Sequence, residues 1–182
     1  MQELKKSFFE RDTVKVAKAL LGKELRVGKT SGIIVETEAY TDDEASHASR
    51  KTPRSQIMFD TYGKSYVYFV YGTYFCLNFT TEKIGSPGAV LIRALEPKSG
   101  ITSMQKRRKK QKSTDLCSGP GKLCQALGLS KKHNNLELGK EIKIFDTKIR
   151  PKIVSAKRIG IKKAADLKWR FYINDNKFVS KR

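Results

Sequence analysis

Apolar residues near the start of the chain recur at helical spacing. In Phe8–Leu21 the stripe is Val14, Val16, Ala17, Leu20 and Leu21. Asp12 or Thr13 can cap it and Gly22 stands where a C′ residue would, so the segment is predicted to be a helix. The pattern then shifts toward strands. Glu24–Val27 and Gly32–Tyr40 read as strands joined by the Gly28–Ser31 turn. Thr41–Arg54 is polar and reads as a loop with room for one helical turn. Ser65–Val70 and Phe75–Thr80, rich in Tyr, Phe and Val around Gly72, form a predicted aromatic hairpin. Ala89–Leu95 is a further strand.

Ile101–Lys112 begins as a helix and runs into Lys106-Arg107-Arg108-Lys109-Lys110-Gln111-Lys112, expected to be a solvated, mobile stretch. Pro120 and Gly121 open a short helix through Leu127, ended by Gly128. Glu141–Phe145, Ile153–Ile159 and Phe171–Ile173 are predicted strands. Several consecutive strands with few helices fit an α+β fold better than a βαβ chain. The expectation is a single domain over residues 1–182, with a mixed or antiparallel sheet, surrounding helices and a protruding hairpin.

Charge adds what periodicity cannot. The formal net charge is +20, and it is uneven. Residues 1–100 carry 15 Lys/Arg against 12 Asp/Glu, a net +3; residues 101–182 carry 23 against 6, a net +17. One electropositive face or tail follows, with a polyanion as partner. An acidic solubilising module is excluded. No apolar run is long enough to span a membrane and no apolar segment follows Met1–Lys6, so neither a membrane anchor nor a secretory leader is expected. Cys76, Cys117 and Cys124 are too few for a disulfide framework and read as buried thiols in a reducing compartment. Zinc at Cys117 and Cys124 lacks further ligands at finger spacing, so no metal is expected.

Three segments carry candidate chemistry. In Gly32–Tyr40, strict alternation puts Ile33, Val35, Thr37 and Ala39 on one face and Ile34, Glu36, Glu38 and Tyr40 on the other. Two carboxylates beside an aromatic ring suit a general base, and equally the solvent side of an antiparallel strand. Five of the seven tyrosines lie in Tyr62–Tyr74, which suits a half-buried sheet or base stacking. Ser118-Gly119-Pro120-Gly121-Lys122 precedes a helix, where Gly121 and Lys122 could meet a DNA phosphate or form an ordinary turn. Leu123 stands where a Walker loop needs Ser or Thr, so nucleoside-triphosphate hydrolysis is rejected.

Taken in order, Ile34–Tyr40, Glu44–His47, Thr52–Arg54, Tyr66–Asn78, Leu91–Pro97, Leu116–Leu127, Arg158–Ile161 and Arg170–Tyr172 resemble the alkyladenine (3-methyladenine) DNA glycosylase family, the type not built on a helix-hairpin-helix. The resemblance implies a monofunctional enzyme of base excision repair, without cofactor or metal, that flips alkylated or deaminated purines from duplex DNA. It implies Glu38 as the base activating water, with Arg93 helping to hold that water. Tyr40, His47, Tyr68 and Asn78 would line the base pocket, Asn78 disfavouring guanine. Tyr71 would be inserted into the minor groove at the gap left by the flipped nucleotide. The stretch between Tyr40 and His47 is shorter than in vertebrate members of the family.

The resemblance also bears on the hairpin. A Gly72-Thr73 loop pairs Tyr68 with Leu77, whereas a Gly72-Thr73-Tyr74 loop pairs Tyr68 with Asn78 and puts both on one face. The second register, or a bulge, is therefore favoured. Double-stranded DNA is the implied partner, bound by a monomer in the cytoplasm (nucleoid-associated in a bacterium) or in a nucleus. A non-catalytic, basic RNA- or ribosome-binding protein is the competing class. Glu38 separates them, because a phosphate binder gains nothing from a carboxylate beside bound polyanion.

Overall fold

A computed structural model describes residues 1–70 and 72–181. These residues form nine strands and four α-helices, and the strands make one sheet: β1 (Gln2–Glu3), β2 (Glu24–Val27), β3 (Thr30–Tyr40), β4 (Ser65–Val70), β5 (Tyr74–Thr80), β6 (Ala89–Ser99), β7 (Ile142–Asp146), β8 (Ile153–Ala156) and β9 (Arg170–Ile173). Their main path runs β1-β7-β2-β3-β6-β5-β4, with β9 pairing β3 and β8 pairing β9. Every pairing between these strands is antiparallel, so the mixed alternative drops out and the α+β reading stands. The 11-residue β3 is the spine. Thr30–Ile33 pair with β2 and Glu36–Glu38 with β9, while β6 runs along its other edge.

Four helices accompany the sheet: α1 (Thr13–Leu20), α2 (Gln56–Asp60), α3 (Ile101–Arg108) and α4 (Pro120–Leu127). The predicted helix Phe8–Leu21 divides. A 3-10 turn spans Lys6–Phe8, Phe9 is buried, and α1 starts at Thr13 after Asp12 accepts the Lys15 amide. Gly22, at φ +82°, ends it as expected. Val16, Ala17 and Leu20 from α1 and Leu123, Ala126 and Leu127 from α4 share one core with Ile34, Ala39, Val67, Leu77, Val90 and Ile92. Each fully buried aliphatic side chain there contributes about 1.5–3 kcal/mol. The helices α1 and α4 thus cover one face of the sheet. Tyr66, Tyr68, Asn78, Leu91 and Arg93, alternating with those core residues, belong to the other.

Several expectations change. Strand β3 does not alternate strictly, since the pairing with β6 shifts between Ile34 and Glu36 and again before Thr37. This bulge sends Ile34 into the main core, while Val35 packs with Ala94 and Phe178 in a separate cluster. Neither hairpin register holds: Val70 pairs with Tyr74, Tyr68 with Cys76 and Tyr66 with Asn78. Strand β8 stops at Ala156, not Ile159, because Arg158 and Ile159 turn inward to Asp43 and Glu38. The basic run is only partly free. Arg107 donates to the Ala126 carbonyl of α4 and Arg108 to the Leu116 carbonyl of the preceding loop, fastening the end of α3 to both. The strand β1 and the helix α2 had no expectation attached to them.

Candidate active site

Register builds the site. Tyr66 pairs with Asn78, Asn78 with Leu91, Leu91 with Glu38 and Glu38 with Arg170. Cross-strand partners share a face, so these residues form one row across five strands. Arg93 and Tyr40, each two residues along from a member of that row, join the same face. On this face opens a cavity of about 520 Å³, lined among others by Tyr40, His47, Tyr68, Asn78, Arg93 and Ile159. A larger hollow of about 830 Å³ lies beyond Arg54, bounded by Phe69, Phe75 and Lys131. Neither Glu38 nor any of its hydrogen-bond partners borders it, so size is a poor guide here.

Glu38 is 0% exposed and sits behind the cavity wall. Its Oε1 accepts the Ile159 amide at 2.8 Å; its Oε2 accepts the Tyr40 hydroxyl at 2.8 Å and Arg93 Nη1 at 3.2 Å. All three partners line the cavity. A carboxylate offers about four lone-pair sites, so one acceptor position remains for a water. Burial, then the Glu38 charge, push the Tyr40 phenol far above its usual range, keeping it a donor.

The second carboxylate of β3 is spent differently. Glu36 accepts Arg170 Nη1 at 2.8 Å and the Ser180 amide at 2.7 Å, and lies 3.6 Å from Arg93 Nε. Two buried carboxylates thus face two buried guanidiniums. Pairing of this kind is what permits charges to lie in a low-dielectric interior.

Opposite them stand rings. Tyr68 and His47 meet edge-to-face at 4.6 Å, and His47 Nδ1 lies 2.8 Å from the Tyr66 hydroxyl. Burial, aided by the Arg54 charge, lowers the His47 pKa to about 4, so the imidazole is neutral at pH 7. Asn78 is buried, and its Nδ2 donates to the Tyr66 carbonyl at 3.1 Å. Cys76, also on the cavity wall, has its thiol pushed up to about 11 by burial. Cys117 and Cys124 are buried free thiols in the core.

Of the residues singled out in the sequence, Glu38, Arg93, Tyr40, His47, Tyr68 and Asn78 are brought together. Tyr71 lies outside the described residues. Lys122 is exposed at the start of α4, where it reaches the Ser118 hydroxyl at 3.4 Å. Gly121 has a packing reason: a Cβ there would lie 2.9 Å from Tyr74 Cβ, so the hairpin rests directly on α4. Sequence reasoning missed Arg158, whose guanidinium forks onto Asp43 and lies over the Tyr40 ring. It also missed the Ile159 amide. Their only sequence clue is the short Arg158–Ile161 match.

The model of the methylpurine-DNA glycosylase family (MPG) matches residues 7–177. Relatives named "Putative 3-methyladenine DNA glycosylase" cover nearly the whole chain. That of Rhodopseudomonas palustris (strain BisB18) is 47% identical over 182 residues, spanning 98% of this chain and 91% of its own. That of Nitrobacter winogradskyi is 48% identical over 181 residues, spanning 98% and 87%. That of Clostridium novyi (strain NT) is 45% identical over an alignment of 201 residues, spanning all of both chains. Among the described residues no helix is long and apolar enough to cross a membrane. With a match over most of its length and a cavity walled by the residues that first suggested it, the chain belongs to the methylpurine-DNA glycosylase family, hydrolases of N-glycosyl bonds in DNA.

Proposed function

We propose that residues 1–182 form one monofunctional DNA glycosylase domain that, as a monomer, removes alkylated or deaminated purines from duplex DNA. The observation that carries this reading is Glu38, a desolvated carboxylate with three fixed donors and one free acceptor site behind an aromatic cavity. A target base must leave the stack to come near such a group, at a cost of a few kcal/mol. Tyr71 is proposed as the wedge that fills the gap. The extruded purine lies against Tyr40 on one side and His47 and Tyr68 on the other. A neutral His47 adds no repulsion toward a cationic 3-methyladenine.

As the C1′–N9 bond lengthens, its electron pair moves to the departing base and the sugar becomes oxocarbenium-like. Anionic Glu38 stabilises that cation and takes the proton of a water whose oxygen bonds to C1′, as in carboxylate-assisted glycoside hydrolysis. Arg93 holds Glu38 and helps to place the water. A cationic base leaves as a neutral molecule and needs little acid catalysis, whereas a neutral deaminated purine leaves as an anion that takes up a proton from solvent. The +17 half of the chain, including Lys122, supplies sequence-independent phosphate attraction. A non-catalytic RNA binder would derive no benefit from burying Glu38 behind Tyr40.

Glu38→Gln tests this. It keeps shape and most partners, and is expected to bind lesion duplex normally while losing about 10³-fold or more in single-turnover excision. Near-normal excision by this variant sinks the reading. So does a covalent protein–DNA adduct trapped by borohydride, which would mean an amine nucleophile.

A further inference from the structure

Arg158 lies outside the machinery described so far, yet it is among the most enclosed charges in the chain. Its side chain is 0% exposed and that of its partner Asp43 9%. Nη1 donates to Asp43 Oδ2 at 3.1 Å and to the Ala39 carbonyl at 3.0 Å; Nη2 donates to Asp43 Oδ1 at 2.6 Å. The guanidinium carbon lies 4.6 Å from the Tyr40 ring centre and 5.4 Å from that of Trp169. One residue further, the Ile159 amide donates to Glu38. Asp43 in turn accepts the amides of Thr41 and Ala45, tightening the segment that leads to Ser46 and His47.

Two loops far apart in sequence therefore converge on one guanidinium, and both line the cavity: Ala45–His47 and Ile159–Ile161. Stability alone does not explain this choice. A buried ion pair is commonly matched or bettered by apolar packing of similar volume. Moreover, Arg158 Nε is buried without a hydrogen-bond partner, an added cost. A planar, forked cation does what an apolar side chain cannot: it fixes Asp43 through two nitrogens while lying over the Tyr40 ring.

We infer that Arg158 is a positioning residue, clamping the Asp43 loop to the Ile159 segment so that Tyr40 and the Ile159 amide stay aligned on Glu38. The inference rests on the reading of Glu38 as the base. It explains how a short connection between Tyr40 and His47 is held in place: its middle residue is pinned from the opposite end of the chain. Lysine retains the charge but neither the fork nor the stacking plane, so the clamp depends on arginine specifically.

Arg158→Lys and Asp43→Asn are to be assayed with wild type for release of methylated bases from dimethyl sulfate-treated duplex DNA. Both variants are expected to lose about 10- to 100-fold in kcat, the scale of an ångström-sized misplacement, with KM within about threefold of wild type. Guanidinium ion added to Arg158→Ala is expected to restore part of kcat, a response that a merely structural loss would not show. Full kcat in either Arg158→Lys or Asp43→Asn overturns the clamp. So does unfolding of Asp43→Asn at the assay temperature, which would make the pair a folding element. An inert wild type, or a fully active Glu38→Gln, instead sinks the glycosylase reading whatever the Arg158 variants do.

Discussion

Behind the cavity, Glu36, Glu38, Arg93 and Arg170 form a closed set of two carboxylates and two guanidiniums, tied further to backbone at Ser180 and Ile159. In front of it, His47, Tyr66 and Tyr68 offer rings, one neutral imidazole and a single buried amide at Asn78. The rear is polar and held by long-range partners, with Arg93 Nε buried there without a hydrogen bond. The front is apolar for most of its area and belongs to a hairpin whose Phe69 and Tyr74 are about half exposed. Charges in a low-dielectric site hold their geometry only when every partner is present. Aromatic faces tolerate many bases, because stacking discriminates little between them. Under the proposed glycosylase reading, the rear wall fixes the reaction and the front wall sets which bases enter.

The sharpest way to break this contrast is at Glu36. Glu36→Gln removes the anion between Arg93 and Arg170 and leaves Arg170 without a carboxylate. Removing one partner of a buried pair costs about 3–5 kcal/mol. For a chain of this size the melting temperature is expected to fall on the order of 10 °C by scanning calorimetry. Glu38→Gln leaves the Glu36 pairings intact and is expected to shift the melt by less than half as much. Equal shifts would mean that Glu38 is one more structural member of the set rather than its working group.

A smaller effect separates the front wall by pH. The folded-state pKa of His47 is lowered to about 4, against 6.5 in the unfolded chain. Between those values the unfolded state takes up a proton that the folded state refuses. Stability therefore falls as pH drops from about 6.5 toward 4, and the loss is complete below the folded value. The urea midpoint of the wild type is expected to fall from pH 7 to pH 5 more than that of His47→Gln. The groups facing His47 are the Tyr66 hydroxyl, the Tyr68 ring and the Arg54 charge. Parallel midpoints in the two proteins would place the imidazole in water rather than against that wall.

How far the sequence reaches differs between the two walls. Alternation over Glu36–Tyr40 put Glu36, Glu38 and Tyr40 on one face, and the Tyr-rich run predicted a hairpin; the choice of Glu38 over Glu36, and of Tyr68 as a pocket ring, came from the family resemblance. The ties of Glu36 to Arg170 and Ser180 were not legible, since no periodicity connects residues more than 130 positions apart. The same holds for Arg158 and Asp43. The bulge at Val35 defeated strict alternation, because an inserted residue flips one half of a strand relative to the other. The hairpin register failed for a related reason: loop length is fixed by backbone geometry at Val70 and Tyr74, which composition does not encode. In the basic run, charge alone could not distinguish Arg107 and Arg108, which hold backbone carbonyls, from the exposed lysines beside them.

Asn78 sharpens the comparison at its finest, as the one buried amide in a wall of rings. It pairs with Tyr66 on one side and, through Leu91, stands in line with Glu38 on the other. Its Nδ2 is committed to the Tyr66 carbonyl and its side chain is buried, so its position is restrained. Guanine differs from adenine and hypoxanthine by a 2-amino donor at the minor-groove edge. A rigid amide against that edge would reject the extra group by contact and by leaving buried polar atoms unpaired, which discriminates better than an apolar wall. Asn78→Ser shortens the side chain and opens room there without touching Glu38 or Arg93. Excision of guanine-type bases relative to hypoxanthine, measured as a ratio of single-turnover rates on matched duplexes, is expected to rise about fivefold or more, the scale of one lost polar mismatch. A ratio that stays within about twofold, well under 1 kcal/mol, would return selectivity to the rings and make Asn78 a brace for the hairpin.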